Sequence, residues 1–255
     1  MLRNPQHPHR SPGLPSLAAV IVLALHCSFS SADTSTKPAA TQPSTATSQT
    51  RPATTAPHTY STKFPHAENA LSESGQWITG SSKHDWAAAA VTAGIAHGTQ
   101  SGHSGYDDTV ALLAGPWPAD QSAQATVHIV NPKDGNVYEE VELRLRSTLT
   151  AHSCTGYEIN FRCTGPNSGY NEIVRWDGPL GKFTYLSQKS GGAADGDIIK
   201  ATIVGDLITV YRNGKQVNQA RDKTFPTGNP GIGFFLQGGP PALNPDFGFS
   251  AFSAQ

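Results

Sequence analysis

Two neighbouring stretches hold the side chains best placed to do chemistry. From Tyr138 to Leu149, Val141, Leu143 and Leu145 alternate with Glu140, Glu142, Arg144 and Arg146. From Gly156 to Cys163, Tyr157, Ile159 and Phe161 alternate with Glu158, Asn160 and Arg162. Residues two apart in a strand share a face, so each stretch gathers its charged and amide groups on one side. Arg144, Arg146 and Arg162 are then suited to fork onto carboxylate or sulfate groups. Glu158 and Asn160 can exchange hydrogen bonds with sugar hydroxyls. The competing expectation is plain solvation, because antiparallel sheets commonly keep one face wet.

Other residues extend or limit that chemistry. Trp176, Trp117 and Tyr211 offer ring faces on which a sugar could stack, although core packing is the simpler role for Trp176. Asp246, with Asp107 or Asp108, supplies oxygen ligands for a structural calcium ion. Glycoside hydrolysis needs two carboxylates at a set separation. The nearest run is Glu140-Val141-Glu142, but Arg144 is the next residue on that face and would lower a neighbouring acid's pKa. A polysaccharide lyase instead needs a base beside a group that neutralises a uronate. Tyr157, His128, His152, Arg144, Arg146 and Asn160 are suitable types, yet Tyr157 alternates away from Asn160. No Walker loop, GxSxG elbow, HExxH, CxxC or EF-hand pattern occurs.

The elements that must position these residues are strands. In Gly196 to Val217, two alternating runs flank Gly205-Asp206, and Asn213-Gly214 provides the positive-φ pair of a tight hairpin. Further strands are predicted at Trp77-Ile78, within Trp86 to Ile95, and over Asp107 to Ala114, Gln121 to Val130, Asn171 to Asp177, Lys182 to Gln188, Gly231 to Gln237 and Phe247 to Ala254. With 25 glycines, 19 prolines and 15% charged residues, the composition suits an all-β chain with many turns. Strands recurring at this spacing predict an antiparallel two-sheet β-sandwich or a barrel. A formal net charge of −1 gives no general attraction to nucleic acid or an anionic membrane.

The succession QSAQATVHIV, EEVELRLRST, GYEINFRC, NEIVRWDGP, GDIIKATIVGDLITVYRNGKQV, GNPGIGFFLQG and DFGFSAFSA resembles the concanavalin A-like lectin/glucanase superfamily. Within it the likeness is to laminin-G-like jelly rolls of secreted bacterial proteins, and it covers roughly Gly115 to Ala254. That resemblance implies two curved antiparallel sheets and a concave face that often holds glycan. The expected function is a carbohydrate-binding, lectin-like module that recognises a glycan through Arg144, Arg146, Glu158, Asn160, Arg162 and Trp176. A polysaccharide-cleaving enzyme on the same face, lyase before hydrolase, and a structural or adhesive surface module are the alternatives.

Residues 1–32 combine Arg3 and Arg10, the apolar run Leu17 to Leu25 and Ser30-Ser31-Ala32, the pattern of a secretory signal cleaved after Ala32. The apolar run is too short to span a bilayer, which takes about 20 residues. The expected destination is therefore secreted, cell-surface or periplasmic, with an extracellular glycan or polysaccharide as partner. In residues 33–62, 23 of 30 are Ser, Thr, Pro or Ala, too few apolar groups to offset ordering, so a disordered linker is expected. The β-sandwich is then expected over residues 63–255, as a monomer. Cys154 and Cys163 lie nine residues apart along a strand, roughly 25–30 Å at about 3.3 Å per residue, too far for a disulfide.

Overall fold

The computed structural model describes residues 58–102, 108–133, 135–238 and 244–255. The expected leader, residues 1–32, and residues 33–57 of the expected linker lie outside the described residues. Fifteen strands follow one another: β1 Tyr60–Thr62, β2 Trp77–Thr79, β3 Ala90–Thr92, β4 Ile95–His97, β5 Thr109–Leu113, β6 Gln121–Ile129, β7 Tyr138–Thr150 and β8 Ser153–Arg162. They continue as β9 Tyr170–Gly178, β10 Phe183–Ser190, β11 Ile198–Val204, β12 Leu207–Arg212, β13 Lys215–Arg221, β14 Asn229–Gln237 and β15 Phe247–Ala254. A 3-10 turn at Asn244–Asp246 is the one helical element among the described residues. The expected all-β, two-sheet antiparallel sandwich is what forms. No helix among these residues is long and apolar enough to cross a membrane.

One sheet, the back sheet, runs β13-β12-β11-β6-β15-β4-β3, with β1 also paired to β15. The other, the site sheet, runs β10-β9-β8-β7-β14-β5-β2. Period-2 alternation sends one side of every long strand between the sheets. Val141, Leu143 and Leu145 of β7 and Tyr157, Ile159 and Phe161 of β8 meet Ile199, Ala201 and Ile203 of β11 and Phe247, Phe249 and Phe252 of β15 there. The β11–β12–β13 meander forms as the alternation predicts, and the β12–β13 turn holds Asn213 at φ 51° and Gly214 at φ 77°. Cys154 and Cys163 are free and buried.

Two segments add detail to the expectation. The alanine-rich run Trp86 to Ile95 becomes two short strands, with Ala93 (φ 51°) and Gly94 (φ 81°) turning β3 back on β4. Burial decides this: Ala89, Ala90 and Val91 are nearly inaccessible to water, which outweighs alanine's helical preference. Within the tract expected as a linker, Tyr60–Thr62 forms a strand paired with Phe252–Ala254 of β15. Tyr60, the tract's single aromatic residue, packs edge-on to Trp77 at 5.6 Å. Its hydroxyl donates to Glu73, which also accepts from Thr62 Oγ1 at 2.5 Å and Trp77 Nε1 at 2.8 Å. A composition average conceals one aromatic that finds a partner.

The β12–β13 turn yields a direct test. Gly214→Val places a β-branched residue in the left-handed region, where an L-residue pays roughly 1–2 kcal/mol. Urea unfolding should show a loss of about that size with an unchanged m-value.

Candidate functional site

The outward face of the site sheet collects the charged residues of three strands, β7, β8 and β9. Strand pairing sets Glu142 opposite Asn160, Arg144 opposite Glu158 and Glu140 opposite Arg162. On the next strand, Glu172 lies opposite Asn160 and Val174 opposite Glu158. On the other flank, Gly231 and Gly233 of β14 lie beside Arg144 and Glu142. A Cβ at Gly233 would collide with Glu142 Oε2 and approach Arg144 Nε to 2.9 Å, so glycine there makes room for the charged side chains.

This face is not wet. Glu142 is 0% exposed and Arg144 1%, and Glu140, Glu158, Asn160 and Glu172 are buried too. At one end Trp86, from the connection between β2 and β3, packs with Val110, Leu112, Cys154, Val174 and Trp176 in a second apolar cluster. Its ring meets that of Trp176 at 6.2 Å, edge to face. The solvated outer face that alternation allowed is therefore replaced by a covered polar layer.

Arg144 is the centre of that layer. Its Nη2 lies 2.5 Å from Glu142 Oε2, 3.0 Å from Glu158 Oε2 and 3.7 Å from Asp108 Oδ2. Trp176 Nε1 donates to Glu158 Oε2 at 2.5 Å, and Asn160 Nδ2 donates to Glu158 Oε1 at 2.9 Å and to Glu172 Oε2 at 3.2 Å. The guanidinium is thus already engaged by three carboxylates. Burial raises the Glu142 carboxyl well above its usual range, and Arg144 only partly offsets this. The expectation that the arginine would hold this acid low is corrected: desolvation is the larger effect.

The opposite end of the face is half-exposed. The Arg162 guanidinium lies over the rings of Tyr138 at 4.6 Å and Tyr170 at 5.9 Å, while Nη2 donates to the carbonyls of Gly135 at 2.8 Å and Val137 at 3.0 Å. Tyr170 donates its hydroxyl to Glu140, and Gln188, exposed on β10, donates to Glu172. Burial, then the charge of Glu172, pushes the Glu140 carboxyl up to about 8, and burial pushes Glu172 up to about 7.

The residues singled out in the sequence divide accordingly. Arg144, Glu158, Asn160 and Trp176 come together in the covered layer, with Arg162 at its open end. Trp176, at 2% exposure, packs rather than offering an open ring. Arg146 does not join Arg144: the β7–β8 register shifts after Leu145, and Arg146, at φ 45°, sends its Nε to the carbonyl of Ala119 at 2.6 Å and its Nη1 to that of Phe225 at 3.2 Å. Asp246 sits in the 3-10 turn beside the buried Glu139, whose carboxyl burial pushes up to about 7. Among the described residues, the acidic group that assembles is Asp108, Glu142 and Glu158. Asp107 lies outside the described residues.

The lyase set is dispersed. Tyr157 points into the core with its hydroxyl 2.8 Å from Asp222 Oδ1, His128 is on β6 of the back sheet near Asp195, and His152 is exposed beside Asp85. Sequence reasoning missed Trp86, Tyr138, Tyr170, Glu172 and Gln188. The alternation of Asn171 to Asp177 already sets Glu172 on the face of Trp176, so that one was legible. The back sheet's outer face has shallow depressions of about 350 and 370 Å³ along Ser61, Gln124 and Ser253, without a carboxylate side chain in their lining.

No family model matches the chain, and no curated protein does. Among solved structures, the chain is similar to the carbohydrate binding module CBM66 from Bacillus subtilis, at 19% identity over 66% of this chain and 96% of that one, with a TM-score of 0.48. It is also similar to the Emp47p carbohydrate recognition domain, at 14% identity over 76% and 94% of the two chains, TM-score 0.48. A third likeness is to a GlcNAcα1-4Gal-releasing endo-β-galactosidase from Clostridium perfringens, at 8% identity over 76% and 61%, TM-score 0.48. Likenesses this remote do not bear on what the present chain binds.

The raised carboxyls give stability a definite pH dependence. Glu140 and Glu172 titrate near 8 and 7 in the native state against 4.5 ordinarily, so the native state holds more protons across that window. Their contribution is complete below about pH 4.5 and is lost as pH rises through 7 and 8. In divalent-free buffer, calorimetric Tm should fall from pH 5 to 8.5. The Glu140→Gln/Glu172→Gln variant should flatten that slope.

Proposed function

We propose that this chain is a glycan-binding module whose ligand lies on the outward face of the site sheet, at its half-exposed end. The observation that carries this reading is the grouping of Tyr138, Arg162, Tyr170 and Gln188 at the edge of a buried carboxylate and amide layer. Ring faces suit the C–H side of a pyranose, and fixed polar groups suit its hydroxyls. Two aromatic residues with two charge-bearing strands behind them form a surface that is rigid before any ligand arrives, which limits the entropy lost on binding. Arg162, stacked between rings, favours a ligand with carboxylate or sulfate substituents.

A second reading, cleavage of a polysaccharide, draws on Glu140 and Glu172. Their carboxyls, held up to about 8 and 7 by burial, would stay protonated near neutral pH, as a general acid must. The expected location is outside the cytoplasm, with the leader removed after Ala32. Intact-mass analysis of exported chain should begin at Asp33, and an uncleaved chain would remove the secretion reading.

A glycan array should show binding that Arg162→Ala and Tyr170→Ala each weaken by about fivefold or more, roughly 1 kcal/mol, with circular dichroism unchanged. Unaltered binding in both variants would place the ligand elsewhere. Reducing-end and 235 nm assays on the array hits separate the readings: product growth abolished by Glu140→Gln supports cleavage, and binding without product supports a module.

A further inference from the structure

Charge balance around Arg144 points to something beyond a sugar. Asp108, Glu142 and Glu158 each approach its Nη2, so three carboxyl groups face one guanidinium and the acids outnumber the base by two. All four side chains are nearly inaccessible to water, and buried like charges at such range need neutralising. The three acids can each present an oxygen within 4.8 Å of the others, the span of opposed ligands at about 2.4 Å from a calcium ion.

Two orphaned atoms mark where the ligand belongs. Glu142 gives Oε2 to Arg144 and leaves Oε1 buried with no hydrogen-bond partner. Asn160, 3% exposed, donates through Nδ2 to Glu158 while its own Oδ1, also buried, has no partner. Both are oxygen acceptors without a donor, and both belong to side chains in the same layer. A buried acceptor left unsatisfied is costly. A cation satisfies several acceptors at once.

We infer that Asp108, Glu142, Glu158 and Asn160 form a binding site for one calcium-sized divalent cation on the site sheet. Binding ionises all three acids, as carboxylate ligation requires, and the ion's two charges then equal the excess of the triad over Arg144. All-oxygen ligands favour a hard cation over zinc or copper. Arg144 then steadies the carboxylates through Glu142 Oε2 and Glu158 Oε2, leaving the orphaned Glu142 Oε1 and Asn160 Oδ1 to the ion. This assignment differs from one centred on Asp246, and it stands whether or not a glycan binds.

The test uses chelator-stripped full-length chain. Calorimetric titration with Ca²⁺ should give one site per chain and a raised Tm, with a much smaller response to Mg²⁺. Tb³⁺ should give tryptophan-sensitised emission, because Trp176 Nε1 sits 2.5 Å from Glu158 Oε2, and Ca²⁺ should quench it by displacement. Asp108→Asn and Asn160→Ala, which keep the Glu142–Arg144 pair, should each lower Ca²⁺ affinity at least tenfold with circular dichroism unchanged. Absence of stoichiometric Ca²⁺ binding by the wild-type chain overturns the proposal. So does binding that both variants leave intact, or an equal response to Mg²⁺.

Discussion

Arg144 holds together three carboxylates that would repel one another without it, in a place water scarcely reaches. Pairs of this kind seldom add much net stability, since desolvation consumes most of the attraction. Their hold on structure comes from the asymmetry: removing one partner leaves buried charge uncompensated, typically at about 3–5 kcal/mol. The positions of β7, β8 and the residue Asp108 before β5 are thereby tied to a single side chain. Gly233 leaves space for it, Trp176 and Trp86 seal one end, and Asn160 connects the layer to Glu172.

The sandwich thus has two interiors of opposite character. Between the sheets lies an apolar core of aliphatic and phenylalanine side chains. On the outward face of the site sheet lies a thinner layer in which an indole cluster gives way, along the same strands, to acids and amides and then to half-exposed tyrosines. Under the glycan-binding proposal, that gradient from dry to wet would present polar groups already aimed before a ligand arrives. It also explains why Glu140 and Glu172 titrate late: each is desolvated and stands near another buried acid.

Most of the architecture was legible in the residues because strands of a sandwich alternate, and a period of two tells inside from outside. Val141, Leu143 and Leu145 announce their side, and Asn213-Gly214 announces its turn. Alternation does not say what covers the outer side. Trp86 and Asp108 come from predicted short strands far from Arg144 along the chain, so nothing near Arg144 in the sequence indicates that it will be buried. Arg146 shows the other limit. The Leu-Arg-Leu-Arg pattern runs through it unbroken, yet a bulge at that residue carries its side chain away from Arg144. Three residues of β1 were obscured for a third reason, since a tract read by composition hides the one tyrosine that docks.

The pairing of β1 with β15 places Tyr60 directly across from Ala254. The first and last strands of the folded body therefore lie side by side in one sheet, so a few residues would suffice to splice them. A circularly permuted molecule, reopened at an exposed turn such as Asn213-Gly214, keeps every strand neighbour it now has. The same adjacency means that tension applied through the preceding segment would unzip β1 from β15 one rung at a time, leaving the Arg144 layer on the other sheet undisturbed.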